Sequence, residues 1–371
     1  MKVLFIITGL FPGGAERIVL ETVRGLLQSG HQAEVVSLLP EPEDRERTIV
    51  NELEKLGVRI YFLNLSGFRF YRVFSLFKII RKGAPDVVHS HLMHANLAAR
   101  LIRFFLRFPL INTIHIAERR RGLKIKLLFL VDRLTFRFCD KCTAVSQAAA
   151  RFHERSCHLP EGSILTIYNG SDPAVPKTPD ELEAIRQEWG LAGTTKLIGS
   201  IGRLDYQKGY DLLLRSLPKL QKLIPPGETW GILLIGDGPE RTGLQQTARE
   251  MEQQFPNLRI VLPGYRPDAA ALLPMLDLFV MPSRYEGFGL ALTEALSQGI
   301  PALCSQADSL PEICSSFPEN TLITDFTASS LTEDYRKALA LPKQPGKTFR
   351  STDEMNREYL NLYQKISGCG N

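Results

Sequence analysis

The stretch Pro282–Pro301 reads P-S-R-Y-E-G-F-G-L-A-L-T-E-A-L-S-Q-G-I-P, and its parts decide the fold class. An apolar run ends at Pro282. A glycine-rich turn follows, with Glu286, Gly287, Phe288 and Gly289, and then a helix-like run in which Leu290, Leu292, Ala295 and Leu296 are free to pack. Strand, glycine turn and helix in that order are α/β grammar. The turn and the helix start expose backbone N–H groups that suit phosphate or sugar oxygens. Glu286 and Glu294, eight residues apart, are placed to accept hydrogen bonds from hydroxyls. The stretch reads as a pocket for a sugar nucleotide.

Upstream, the second half repeats the pattern. Lys196–Ile201 reads as a strand, followed by G-R-L-D-Y-Q-K-G and a helix through Leu217; Gly231–Ile235 reads as a strand ending in G-D-G-P-E. Leu258–Leu262, Asp277–Met281 and Ile300–Cys304 complete a series of short apolar strands. Arg203 and Lys208 stand five residues apart at a strand exit among glycines. Positive charge at a helix start is mildly unfavourable, so two cations there point to an anion such as a diphosphate, gripped by an arginine fork and a lysine point charge. Ser171–Pro179 is rich in proline and polar residues and reads as the hinge.

The first half carries the same grammar. Lys2–Thr8 reads as a buried strand, 9–14 as a loop, and Ala15–Gln28 as a helix with Ile18, Val19, Leu20, Val23, Leu26 and Leu27 as its apolar stripe. The loop G-L-F-P-G-G lacks the G-x-G-x-x-G spacing and the acid of a dinucleotide site, which argues against a nicotinamide dehydrogenase. Gly13 and Gly14 still permit close approach of backbone to an anion. Asp86–His89 reads as a strand running into H-S-H-L-M-H. The spacing of His89, His91 and His94 has no matched carboxylate or cysteine, so no metal is expected there. Ile111–Ile114 reads as a strand with His115 at its end, where ligands of open α/β sheets bind. Asp140–Val145 and Ile164–Tyr168 read as the last strands of this half, with Ser146 as a helix cap. Phe349–Ile366 reads as a closing surface helix.

Composition sets the bounds. The 371 residues are 44% hydrophobic and 23% charged, with a formal net charge of +5, which fits an ordinary globular chain of two domains or one large one rather than a nucleic-acid binder. Six cysteines at 139, 142, 157, 304, 314 and 369 form no dense framework and read as reduced thiols of a cytoplasmic protein. Cys139 and Cys142 make a C-x-x-C with no second pair. No apolar run is long enough for a membrane span. Two segments are unusual. Residues 67–82 hold Arg69, Arg72, Lys78, Arg81 and Lys82, no acid, and interleaved aromatic and aliphatic residues. Leu97–Phe138 holds ten Arg or Lys against Glu118 and Asp132. Such a surface suits peripheral contact with an anionic membrane; the alternative is core-facing helices with solvated arginines.

G-R-L-D-Y-Q-K-G, G-D-G-P-E and E-G-F-G-L-A-L-T-E-A-L together resemble the glycogen-synthase-like family of retaining glycosyltransferases (glycosyl transferases group 1). F-P-G-G-A-E-R, A-V-S-Q and I-Y-N-G extend the resemblance over nearly the whole chain. It implies a GT-B fold, two Rossmann-like α/β domains facing across a cleft. The domains would be an acceptor domain at 1–170, a linker at 171–190, a donor domain at 191–348, and a terminal helix at 349–371 crossing back to the first. By the same resemblance, Gly13 and Gly14 meet the donor phosphate or reacting sugar, and Arg203 and Lys208 bind the diphosphate and stabilise the leaving group. Glu286 holds sugar hydroxyls, the backbone of Gly287, Phe288, Gly289 and Leu290 touches sugar and β-phosphate, Glu294 takes the ribose, and His115 contacts the donor sugar. The chain departs from the usual pattern at Asn169-Gly170-Ser171-Asp172 and at C-S-Q-A-D-S-L-P-E after Pro301.

The implied reaction is transfer of a hexose from a UDP- or GDP-sugar to a hydroxyl with retention, without metal or other cofactor, since no D-x-D motif is present. The implied acceptor is a lipid-linked or surface glycan. The alternatives are a non-hydrolysing sugar-nucleotide epimerase or a phosphorylase of the same architecture, and a non-catalytic sugar-nucleotide-binding protein.

Overall fold

The computed structural model describes residues 1–65, 72–115, 122–344 and 346–368. The chain divides into two compact units, Met1–Gly170 with Arg350–Asn371, and Ser171–Phe349. Each is an open, parallel α/β sheet.

The first unit runs β1 (Lys2–Ile7), α1 (Gly14–Gln28), β2 (Gln32–Ser37), α2 (Thr48–Lys55), β3 (Arg59–Phe62), α3 (Val73–Gly83) and β4 (Val87–His91). It continues with α4 (Met93–Phe105), β5 (Leu110–Ile114), α5 (Leu123–Thr135), β6 (Lys141–Ala144), α6 (Gln147–Cys157) and β7 (Leu165–Thr166). Its seven strands lie in the order β3-β2-β1-β4-β5-β6-β7. The order reverses between β1 and β4, where parallel pairing sets Ile7 against His91. Such a reversal opens a crevice at the carboxyl ends of the strands. The central strands are apolar without alternation because helices cover both faces: Val3 to Ile7 are all buried. Residues 66–71 and 116–121, which include the first five residues of the basic 67–82 segment and the Glu118–Arg121 run, lie outside the described residues.

The second unit runs α7 (Pro179–Glu188), β8 (Lys196–Ile201), α8 (Tyr210–Leu220), β9 (Trp230–Ile235), α9 (Arg241–Gln254), β10 (Leu258–Gly264) and β11 (Leu278–Met281). It ends with α10 (Leu290–Ser297), β12 (Ala302–Ser305), α11 (Leu310–Cys314), β13 (Thr321–Thr324) and α12 (Leu331–Leu339). Six strands lie in the order β10-β9-β8-β11-β12-β13, which reverses between β8 and β11. Its core joins Leu213, Leu214 and Leu217 of α8 to Ile198, Ile232, Val280 and Leu303 of the sheet.

The last helix, α13 (Thr352–Ser367), belongs to the first unit. Ser351 and Glu354 form a reciprocal capping box at its start. It buries Met355, Tyr359, Leu362 and Tyr363 and lies on α1, where Asn356 donates to the Glu21 carbonyl at 3.2 Å.

Two elements differ from the sequence reading. The stretch read as linker contains helix α7, started by a Thr178–Glu181 capping box with Pro179 in the first turn. Strand β7 is two residues long, paired only at Thr143–Leu165 and Ala144–Thr166, because it closes the sheet edge and has one neighbour.

Candidate functional site

In the second unit, the carboxyl ends of β8, β9 and β11 deliver three loops to one place. The loop after β8 is shaped by Asp205, whose side chain accepts from the Lys208 N–H at 3.2 Å and caps a short turn over Tyr206–Lys208. Gly209 follows at φ +67°, where a Cβ would collide with the Pro282 carbonyl. The loop after β9, G-D-G-P-E, is laced to the first: Leu204 N–H donates to Asp237 O at 2.9 Å, and Glu240 N–H to Leu204 O at 3.0 Å. A side chain on Gly238 would meet the Leu204 carbonyl, so this turn has a packing reason of its own.

The result is a direct contact between two candidate residues. Lys208 Nζ donates to Glu286 Oε2 at 2.6 Å, with side chains only 18% and 9% exposed. Ser283 Oγ donates to the same oxygen at 3.3 Å. The turn carrying Glu286 is fixed from behind. Glu286 N–H donates to Asp308 Oδ2 at 2.9 Å, and Ser309 Oγ donates to the Phe288 carbonyl at 2.9 Å. Arg284 is drawn aside into a bidentate pair with Asp211 at 2.7 and 2.8 Å and stacks over Tyr206. Gly289 is the residue before α10, at φ +97°, and its missing side chain leaves room for Leu310, whose Cδ2 would lie 2.9 Å from a Cβ. Gly287 and Phe288 are buried, Leu290 opens the helix, and Glu294 is buried on it.

Arg203 is placed differently. Its side chain is 69% exposed, with Asp205 Oδ2 at 3.6 Å from Nε. The two cations taken together from the sequence are thus one half-buried lysine already holding an acid and one solvent-facing arginine.

In the first unit, Gly13 precedes α1 in extended backbone, and Gly14 is the first helical residue. What glycine supplies at 13 is space: the Glu16 carboxylate lies where a Cβ would stand. His115 follows β5, and its Nε2 lies 2.8 Å from Nδ1 of His91 at the end of β4. His89 is consumed internally, with Nδ1 2.7 Å from Tyr363 Oη and Nε2 2.6 Å from Thr113 Oγ1. His94 is exposed on α4. Burial pushes the His115 ring down to about 3 and holds His89 and His91 well below the ordinary imidazole value, so all three are neutral near pH 7.

A second polar cluster lies within the same unit. Arg100 Nη1 donates to Asp132 Oδ1 at 2.8 Å, and Arg100 Nε to Asn112 Oδ1 at 2.6 Å. His153 Nε2 is 2.7 Å from Asp132 Oδ2, and Cys157 Sγ is 3.4 Å from it. Burial pushes the Asp132 carboxyl up, but the His153 hydrogen bond and the Arg100 charge outweigh it and hold it below the usual range. Asp132, His153 and Cys157 have metal-ligand atoms within 4.8 Å of one another. The guanidinium already on Asp132 makes this an electrostatically satisfied network of the fold. Asp132 is the buried residue of α5, whereas Leu123, Leu127, Leu130 and Leu134 on that helix are 85%, 60%, 48% and 63% exposed.

Sequence reasoning missed the residues that aim the site rather than form it. Asp308 and Ser309 fall in the departure after Pro301, and an acid and a hydroxyl ahead of Leu310-Pro311-Glu312 are a visible helix-start signal. Asp211 and His91 act through pairings that are distant in sequence and leave no local signal, whereas Ser283 pairs with Glu286 only three residues on.

Comparison with known proteins agrees with this geometry. Residues 12–175 match the Glycosyltransferase Family 4 model, and residues 181–352 match Glycosyl transferases group 1. An uncharacterized glycosyltransferase of Methanocaldococcus jannaschii is 26% identical over 306 residues, covering 78% of this chain and 75% of the relative. The lipopolysaccharide core biosynthesis mannosyltransferase LpsB of Rhizobium meliloti is 26% identical over 295 residues, covering 79% and 78%. Among solved structures, Anabaena HepE in complex with UDP and glucose superposes with a TM-score of 0.78 at 19% identity, covering 99% of this chain and 100% of that one. A glycosyltransferase from Rickettsia africae gives 0.77 at 17%, covering 98% of both. With two parallel α/β sheets of doubly wound order and both family models in sequence, the chain belongs to the group 1 glycosyltransferases and has their GT-B fold.

Proposed function

We propose that this enzyme moves a hexose from a nucleotide diphosphate sugar, with UDP or GDP as the carrier, to a hydroxyl acceptor, retaining the anomeric configuration. The observation that carries the reading is the Lys208–Glu286 pair beside the glycine turn and the start of α10. A carboxylate that holds sugar hydroxyls and an ammonium that meets the β-phosphate belong side by side, because the bond that breaks joins sugar to phosphate. Lys208 has two further N–H donors for phosphate oxygens. Arg203, with its exposed guanidinium, closes on the diphosphate as a second cation. Glu294 takes the ribose, and the backbone N–H groups of Gly287 to Leu290 meet sugar and phosphate oxygens. In the first unit, Gly13 and Gly14 offer backbone N–H groups and His115 its ring to the donor sugar.

The chemistry is electrostatic. As the glycosidic bond breaks, its electron pair leaves with the diphosphate, and fixed cations and N–H dipoles stabilise that charge. The acceptor oxygen attacks from the same face, and its proton passes to the departing phosphate oxygen. No metal is needed. HepE was solved with UDP and with UDP-glucose, which supports a nucleotide-sugar donor.

The acceptor is lipid-linked or a surface glycan, reached at an anionic membrane. Helix α5 buries Asp132 and exposes Leu123, Leu127, Leu130 and Leu134, with Phe104 and Phe105 of α4 65% and 67% exposed. Lys124, Lys126 and Arg133 are exposed on the same helix. Apolar side chains among cations suit the headgroup region of an acidic bilayer. Among the described residues no helix is long and apolar enough to cross a membrane, so contact is peripheral in this reading.

The test is a thermal-unfolding screen against UDP, GDP and their hexose conjugates, since a ligand of the native state raises the transition. A rise with one nucleotide series supports the reading; no shift with any of them removes it. NMR of the product from the active donor then reports retention or inversion.

A further inference from the structure

Strands β4 and β5 end side by side, with His91 paired in register with Thr113, and this brings the rings of His91 and His115 together. The two ring nitrogens are 2.8 Å apart, with ring centroids 5.1 Å apart and planes at 41°. Burial keeps both rings neutral. A hydrogen bond between two neutral imidazoles needs one N–H and one lone pair, so the proton at this contact fixes the tautomer of both rings.

Which ring donates follows from the other nitrogen of His91. His91 is fully buried, and its Nε2 has no hydrogen-bond partner among the described residues. Its surroundings are aromatic: the His89 ring centroid is 4.0 Å away and that of Phe5 5.9 Å. An orphaned buried N–H is rarer than an under-satisfied acceptor. The proton of His91 therefore belongs on Nδ1, where it has an acceptor, and Nε2 is left bare. His115 then accepts at Nε2 and carries its own proton on Nδ1. His115 is the partly exposed member of the pair. The His91 backbone is pinned between β1 and β5, so the donor cannot swing away.

We propose that His91 is a positioning residue that holds His115 as the Nδ1–H tautomer, making its neutral ring a hydrogen-bond donor to a substrate oxygen and not a general base. This rests on the reading of His115 as a donor-sugar contact. The two parts separate experimentally.

The tautomers are read by nitrogen-15 NMR of histidine-labelled full-length protein without ligand. The expected pattern is a protonated Nδ1 and bare Nε2 on His115, and likewise on His91; protonated Nε2 on either ring overturns the proposal. His91→Asn keeps an amide N–H beside His115, whereas His91→Phe keeps an aromatic ring and removes the donor. With folding checked by thermal unfolding, H91N is expected to keep the His115 tautomer. H91F is expected to lose it, and to lower kcat roughly 10- to 100-fold with KM little changed, using whichever of UDP-glucose, UDP-galactose, UDP-N-acetylglucosamine or GDP-mannose the enzyme turns over. An unchanged His115 spectrum in H91F overturns the positioning role. Normal turnover in His115→Phe, with the expected spectrum in the wild type, leaves the tautomer lock standing and removes the sugar contact.

Discussion

Lys208 and Glu286 are 78 residues apart in sequence, and their side chains share a hydrogen bond of 2.6 Å. The contact joins the loop after β8 to the loop after β11, across the point where the strand order reverses. Removing one partner leaves the other a half-desolvated charge. Lys208→Met and Glu286→Gln are each expected to destabilise the protein by about 1–3 kcal/mol, and the double variant by less than the sum. Each is also expected to lower transferase turnover by roughly 100-fold or more. Urea titrations of the four proteins read the coupling; strict additivity would show that the pair does not interact in solution.

Gly289 and Gly243 separate backbone conformation from helix propensity. Gly289→Ala places a side chain at φ +97° against Leu310. It is expected to cost about 1–3 kcal/mol and to weaken nucleotide binding, because the first turn of α10 must shift. Gly243 lies in α9, and a Cβ there would meet no described atom within 4 Å. Gly243→Ala is expected to stabilise by about 0.5–1 kcal/mol. Melting curves of both variants check this, and equal effects would refute the conformational reading.

Three neutral histidines make the native state acid-sensitive. His89, His91 and His115 stay neutral when folded, whereas the unfolded chain protonates them as pH falls through about 6.5. Below that pH the unfolded state binds more protons. Stability is therefore fully present above about 6.5 and declines under it, by up to about 1.4 kcal/mol per pH unit for each ring. Denaturation midpoints at pH 7.5 and 5.5 should differ in that sense, and His91→Phe should flatten the slope. A profile that does not fall on acidification contradicts the neutral assignment.

Helix α5 predicts two variants of opposite character. Leu127 and Leu130 are 60% and 48% exposed, so replacing both by Glu should change stability by no more than about 0.5 kcal/mol each. The same change should abolish co-sedimentation with phosphatidylserine-containing vesicles. Asp132→Asn should leave the vesicle-binding side chains intact but strand the Arg100 guanidinium, both partners being almost fully buried, at about 3–5 kcal/mol. Wild-type protein absent from both anionic and neutral vesicle pellets would sink the membrane reading.

Glu294 is buried on α10, and the proposed function gives it the ribose hydroxyls. Glu294→Gln should reduce the preference for a ribonucleotide over its 2′,3′-dideoxy analogue by roughly 10- to 100-fold, the worth of a hydrogen bond to a charged group. Calorimetric titration with the two nucleotides measures it, and an unchanged ratio would move the ribose elsewhere.

Much of this was legible in the chain because it is written locally. Strand, glycine turn and helix start recur in both halves, and each is a short-range consequence of apolar runs, glycines and caps. The parallel α/β class, the two halves, and the places where Glu286, Lys208, Gly13 and His115 leave their strands all follow from patterns a few residues long. The helix at Pro179–Glu188 is equally legible, in T-P-D-E, and is hidden only when its prolines are read as a hinge. What the sequence could not specify are the pairings between loops that arrive from different strands. That Lys208 meets Glu286, that Asp308 and Ser309 hold the glycine turn, that His91 faces His115, and that α5 turns its one acid inward depend on strand order and register. Those are fixed by the burial of two sheets as wholes, and a sequence carries no local mark of which loop ends will become neighbours.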